Sequence, residues 1–200
     1  MGADWVTEPS DEHSRETREV YALAGLALYW AQCLEHEIVN ALALIALLRR
    51  RLSNPATTPK EAAEYERYAD SVWDEAFRKT LGVLIGTLRK SGVREPPELE
   101  HDLKRSLDAR NRLVHSYFRE RAESWLTPAG RHAMAEELTQ MREQFAKTDR
   151  ALHDLTQPIR EAGGITDRVL DRYLELRREG AREDQAIDIV AEEARKRTSR

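Results

Sequence analysis

The chain has 200 residues, of which 34% are charged and 40% apolar, and its formal net charge at pH 7 is −4. This length suffices for one domain with a hydrophobic core and a small appendage. The acidic balance argues against a protein that coats nucleic acid, which would normally be basic, but it is compatible with a local positive cleft. The single cysteine, Cys33, excludes a disulfide framework and a cysteine-based zinc site, and its apolar surroundings predict a small buried side chain.

The amino-terminal third predicts a polar lead followed by a long helix. Residues 1–13 are acidic and polar, unlike a signal peptide, and are expected to be disordered. A first helix is expected over 14–51, where apolar residues recur at steps of three and four. Polar residues interrupt its apolar stretch 20–48, so we expect a buried helix rather than a membrane span. The expected location is cytoplasmic, without membrane association.

The rest of the chain predicts further helices and no strands. Three are expected at 60–90, 97–122 and 129–159, and the Thr58-Pro59 and Thr127-Pro128 pairs have the composition of helix starts. The predicted fold class is therefore all-α, with an antiparallel four-helix up-down bundle over 14–160. After Gly163-Gly164, two charged helices at about 165–178 and 182–197 form a carboxyl-terminal extension over 161–200. Its role is open between a dimerisation element, a lid and a separate binding unit.

The third predicted helix places an arginine where an apolar side chain is expected. At roughly 100° per residue, Arg110 lies in the middle of the apolar stripe, and Asn111 and His115 lie beside each other on its flank. Tyr117 is expected on the same face as Arg110, two turns later. A half-buried arginine is costly unless an anion compensates its charge. The pattern therefore predicts either a site for an anionic ligand or an internal ion pair.

The same octapeptide, Arg-Asn-Arg-Leu-Val-His-Ser-Tyr at 110–117, resembles the signature of the HEPN superfamily. The final tyrosine makes it similar to HEPN toxins that are paired with a nucleotidyltransferase antitoxin. The resemblance extends over about 15–160. It implies a helical bundle that forms homodimers and a ribonuclease that uses neither a metal nor another cofactor. It also implies RNA as the substrate and a role as a toxin or phage-defence effector.

The residue types in the motif suit this chemistry. His115 has the intrinsic pKa for proton transfer at a ribose 2′-hydroxyl, and Arg110 offers a permanently charged fork for phosphate oxygens. Asn111 is expected to fix the imidazole tautomer or to donate to phosphate. One chain supplies one histidine, and two motifs facing each other across a homodimer, as the resemblance implies, would supply two.

Neighbouring residues are predicted to bind RNA or to be modified. Arg105 and Arg112 are expected to steer RNA, together with Arg119 and Arg121. Tyr117 is expected to reach the same phosphate as Arg110. Where an antitoxin of the nucleotidyltransferase type is present, the resemblance implies that Tyr117 is the residue to which AMP is added.

Two other functions remain open on the sequence. One is a HEPN-like module that binds RNA, a nucleotide or a protein partner without catalysis. The other is a helical interaction protein in which Arg110 pairs with a buried carboxylate from Glu35, Glu37 or Asp74. In that case the last two helices would dock a partner through Tyr173, Ile187 and Val190. The sequence contains no glycine-rich phosphate loop, Ser-His-Asp context or zinc-ligand spacing.

Overall fold

The computed structural model describes residues 11–54, 58–162 and 166–198, and this part of the chain is an all-α helical bundle without strands. The predicted fold class is thus confirmed at the level of all-α. A short 3₁₀ turn at Ser124–Leu126 precedes α6. The helices are α1 (Glu12–Ser53), α2 (Pro59–Phe77), α3 (Leu81–Lys90), α4 (Pro97–His115), α5 (Tyr117–Glu120), α6 (Pro128–Ala162), α7 (Asp167–Arg178) and α8 (Glu183–Thr198).

The chain divides into two compact units, Met1–Leu155 and Thr156–Arg200. The division falls within α6, a few residues before the boundary that the sequence predicts. The first unit contains the main core, built on α1 and completed by side chains from α3, α4 and α6. The second unit has a small core of its own, made by Leu176, Ala186 and Val190. Ile187 and Ile189, expected in the α8 stripe, are exposed.

α1 begins earlier than the sequence predicts. Asp11 caps it, accepting a hydrogen bond from the Ser14 amide at 2.8 Å, so Glu12 and His13 are helical and their assignment to a disordered lead is wrong. Residues 1–10, the rest of that predicted lead, lie outside the described residues. Among the described helices, α1 is the one long and apolar enough to cross a membrane by length and composition, and half of its most apolar window is buried inside the protein. Cys33 is partly exposed rather than buried.

The predicted second helix is two helices. Thr58 and Glu61 form the capping box that starts α2, which confirms the expected cap. The chain then leaves the helix at 78–80, where the Lys79 amide bonds the Ala76 carbonyl at 3.0 Å. α3 starts in a new direction and buries Leu81, Leu84, Ile85 and Leu88. Phe77, expected in the core, is instead 51% exposed at the end of α2.

The predicted third helix breaks at Ser116, whose backbone leaves the helical region with φ −139° and ψ −18°. The break rotates the following residues relative to α4. Tyr117 turns into the core, where it is 1% exposed, whereas Phe118 remains on the surface. Val114, expected in the apolar stripe, is 46% exposed.

α6 closes the first unit against α4. Its start is the predicted one, because the Thr127 hydroxyl accepts from the Gly130 amide at 3.1 Å. Buried polar contacts then fix its register: Ser106 and Thr148 are 3.0 Å apart, and Lys147 binds Asp102 at 2.7 Å. Asp102 of α4 is 5% exposed and faces α6. Gly163 and Gly164, the predicted break, lie outside the described residues.

Candidate functional site

Arg110 lies at the contact between α4 and α1. Its Nε donates to Glu35 Oε1 at 3.1 Å, and its Nη1 donates to Asn111 Oδ1 at 3.4 Å. The side chains of Arg110 and Glu35 are 25% and 24% exposed, so both charges are largely withdrawn from water. Glu35 is one of the three carboxylates that the sequence offered as a partner. Because a guanidinium has five N–H groups, the remaining ones are free to reach a second anion.

His115 is the last residue of α4, and its side chain is exposed. Within the described residues it has no hydrogen-bond or ion-pair partner. Asn111 is also exposed, but its carbonyl oxygen accepts from Arg110, so in this structure it orients Arg110 rather than the imidazole. The end of α4 therefore presents an exposed imidazole five residues beyond an arginine whose guanidinium donates to both Glu35 and Asn111.

Tyr117 does not share the face of Arg110. Its hydroxyl donates to the Met134 carbonyl of α6 at 3.1 Å, and burial raises the pKa of that hydroxyl well above its usual range. The expectation that it reaches the phosphate bound by Arg110 is wrong for this structure, because the ring is buried and its hydroxyl is already bonded to α6. The same burial keeps the hydroxyl out of reach of a modifying enzyme while the protein is folded.

Arg112 takes part in an ion-pair network, so its guanidinium is not available to bind RNA. It donates to Glu120 at 2.7 Å and to Glu137 at 2.6 Å, and Arg121 binds the same Glu137 at 2.9 Å. Burial alone would raise the pKa of Glu137, but the hydrogen bonds from Arg121 and Arg112 lower it to about 2. This network ties the residues around the break to α6. Of the arginines expected to steer RNA, Arg105 and Arg119 are exposed.

A second buried arginine was missed by the sequence analysis. Arg131 is 3% exposed, binds Glu16 at 2.6 Å and donates to the Trp125 carbonyl at 2.9 Å, which ties the start of α1 to the start of α6. The signal was present, because Arg131 lies three residues before Met134 and seven before Leu138, both buried. The rule that identified Arg110 therefore applies to Arg131 as well.

Neither a metal-ligand cluster in the described part of the chain nor a known relative identifies the chemistry of the site. Among the described residues, no group of three or more His, Cys, Asp or Glu side chains has the geometry to hold a metal ion. Comparison with protein-family models, with curated proteins and with solved structures finds no match to this chain.

The Arg110–Glu35 pair predicts a measurable coupling. Glu35→Gln and Arg110→Met should each lower the free energy of unfolding by roughly 1–2 kcal/mol, because each leaves a partly buried charge or amide without its partner. The double variant should lose less than the sum of the two. Urea unfolding of the four proteins measures this cycle, and additive effects would show that the pair is not coupled.

The Glu137 network predicts acid sensitivity. Since the folded state holds the pKa of Glu137 below its unfolded value, the folded state binds fewer protons, and its stability falls as the pH drops from about 4.5 toward about 2. Glu137→Gln removes the titrating group, so the variant should lose less stability over this interval than the wild type. Thermal unfolding at pH 6, 4 and 3 tests this; parallel losses in the two proteins would contradict it.

Proposed function

We propose that this protein is a HEPN-like, metal-independent endoribonuclease that acts as a homodimer in the cytoplasm, as a toxin or phage-defence effector. The proposal includes the four-helix HEPN-type arrangement of the first unit. The observation that carries it is the end of α4, where a partly buried Arg110 is held by Glu35 five residues before an exposed His115. A fixed guanidinium and an accessible imidazole are the two groups that metal-free phosphodiester cleavage needs.

The proposed reaction begins with His115 as a general base. It removes the proton of a ribose 2′-hydroxyl, and the 2′-oxygen attacks the adjacent phosphorus. The bond from phosphorus to the 5′-oxygen breaks, leaving a 2′,3′-cyclic phosphate on one fragment. The departing 5′-oxygen takes a proton from the second imidazole, which the other copy of the chain supplies. Arg110 stabilises the extra negative charge on the phosphorane oxygens.

Glu35 has a defined part in this proposal. By accepting from Nε of Arg110 it orients the guanidinium, and the outer N–H groups remain available for a phosphate. Its negative charge also offsets that of Arg110, which lowers the attraction for RNA at a distance. The exposed Arg105 and Arg119 are therefore assigned the long-range attraction, and Arg112 is not, because Glu120 and Glu137 neutralise it.

Control by a nucleotidyltransferase-type antitoxin belongs to the proposal with one restriction. Transfer of AMP to Tyr117 requires its hydroxyl to leave the bond with the Met134 carbonyl. Such a partner would have to act on a locally opened form, or on a different group near the motif.

A second candidate function is a non-catalytic module that binds RNA, a nucleotide or a protein. Neutralisation of Arg110 by Glu35 and of Arg112 by Glu137 favours it, because paired arginines serve structure equally well. This candidate predicts retention of RNA on the protein without cleavage products.

The test is incubation of the purified protein with total cellular RNA in EDTA, followed by analysis of the fragment ends. We expect fragments ending in a 2′,3′-cyclic phosphate, and a loss of about 10²-fold or more in rate for His115→Ala. His101→Ala is the matched control, since His101 is an exposed histidine on the same helix and should leave the rate unchanged.

Cleavage that survives in His115→Ala would assign the activity to a contaminant or to another site. Absence of cleavage from folded, unmodified protein, with RNA still bound, would favour the non-catalytic module instead.

A further inference from the structure

α1 carries a long stretch without charge. Residues 20–34 contain none of Asp, Glu, Lys or Arg, which at about 1.5 Å per residue is roughly 22 Å of helix. A helix on the surface of a soluble protein normally has one charged side, and a helix that is apolar all round is normally covered all round. Here Val20, Ala27, Ala31 and Leu34 face the core. The opposite side of the same stretch remains exposed.

This uncovered side is the α1 face, which we define as Tyr21, Ala22, Gly25, Leu26, Leu28 and Tyr29. Tyr21 and Tyr29 are each 57% exposed, and the two leucines are also exposed. At one end the face continues into α5 and the 3₁₀ turn, because the Tyr21 ring lies 5.6 Å from that of Phe118 and 5.1 Å from that of Trp125. Exposed aromatic and aliphatic side chains in this concentration are typical of an interaction surface.

Gly25 lies within this face. A Cβ at this position would meet nothing within 4 Å, so nothing in the described chain requires glycine there. A glycine inside a helix destabilises it by roughly 0.5–1 kcal/mol relative to alanine. Its one steric consequence is that another backbone can approach the helix closely at this point.

We propose that the α1 face is the interface of a two-fold symmetric homodimer in which α1 packs antiparallel on the α1 of a second copy, with closest approach at Gly25. An uncharged face needs an uncharged partner, and a symmetric pairing supplies it because each copy presents the same face. RNA does not fit this surface, since its phosphates would lie along 22 Å of helix without a cation. A standard interface buries roughly 800 Å² on each partner, and Phe118 and Trp125 extend the face beyond α1.

The position of this interface deepens the proposed function, on which this step rests. α1 contacts the motif region at two places, Tyr21 with Phe118 and Glu35 with Arg110. The end of α4 therefore runs beside the uncharged stretch, with the exposed Val114 and His115 between those two contacts. Pairing through the α1 face places the motifs of both copies along one interface, as a reaction with two imidazoles requires.

Light scattering after gel filtration tests the interface. At micromolar concentration the wild type should have twice the 23.0 kDa of one chain, and Gly25→Arg should have the mass of one chain. The arginine should not harm the fold, because its Cβ meets nothing and arginine is a better helix former than glycine. Gly86→Arg on α3 is the matched control, since a Cβ there also meets nothing, and it should remain a dimer with an unchanged helical circular dichroism spectrum.

Several outcomes would overturn the inference: a monomeric wild type, a dimeric Gly25→Arg, or binding of the monomeric wild type to phosphatidylcholine vesicles, which would assign the face to a membrane. The RNA cleavage assay distinguishes failure of the proposed interface from failure of the proposed nuclease activity. A wild-type dimer that Gly25→Arg disrupts supports the interface even if no RNA is cut. If monomeric Gly25→Arg cleaves RNA at the wild-type rate, the active site is not formed by two copies across this interface. The proposal that the protein is a nuclease would still hold in that case.

Discussion

Covering the apolar length of α1 is the constraint on which the first unit depends. α2, α3 and α4 all pack on this one helix, and Ala31, Leu34 and Ile38 of α1 are buried in the core that they share. Hydrophobic burial is the main favourable term in folding, so a helix of this length determines where the others lie. The cover is one-sided, however. The exposed side of α1 is bordered by two contacts with the motif region, Tyr21 with Phe118 and Glu35 with Arg110. The packing of α1 is therefore connected to the candidate site.

The partial burial of Arg110 connects the packing of α4 on α1 with the chemistry proposed for the site. Glu35 on α1 compensates its charge, and α1 and α4 are thereby fixed against each other at the motif. Such a pair contributes little net stability, because desolvation offsets much of the attraction between the two charges. What it provides is orientation, since a guanidinium held through Nε has few rotamers left. A rigid support of this kind is what a site that binds phosphate needs.

Helix content, two of the caps and the core side of α1 were predictable from sequence, because they depend on local patterns that Thr58 and Thr127 display. The Asp11 cap was not predicted, since a cap is recognised only once the start of its helix is correctly placed. The breaks after Phe77 and at Ser116 were not predictable, because neither contains proline or glycine and the apolar period continues through both. The choice of Glu35 among three carboxylates needed the tertiary contact between α1 and α4, 75 residues apart.

The break at Ser116 explains why a motif that looks continuous in sequence divides into two roles. Before it, α4 carries the partly buried Arg110 and the exposed His115, and after it Tyr117 lies in the core, where its hydroxyl donates to the Met134 carbonyl of α6. Arg112 and Arg121 both form ion pairs with Glu137, which connects the turn to α6 and neutralises part of their positive charge. Tyr117 and Arg112 thus contact α6, whereas Arg110 contacts α1 and the His115 side chain is exposed. A substitution that straightened the helix at Ser116 would therefore disturb the hydrogen bond of Tyr117 and the ion pairs of Arg112.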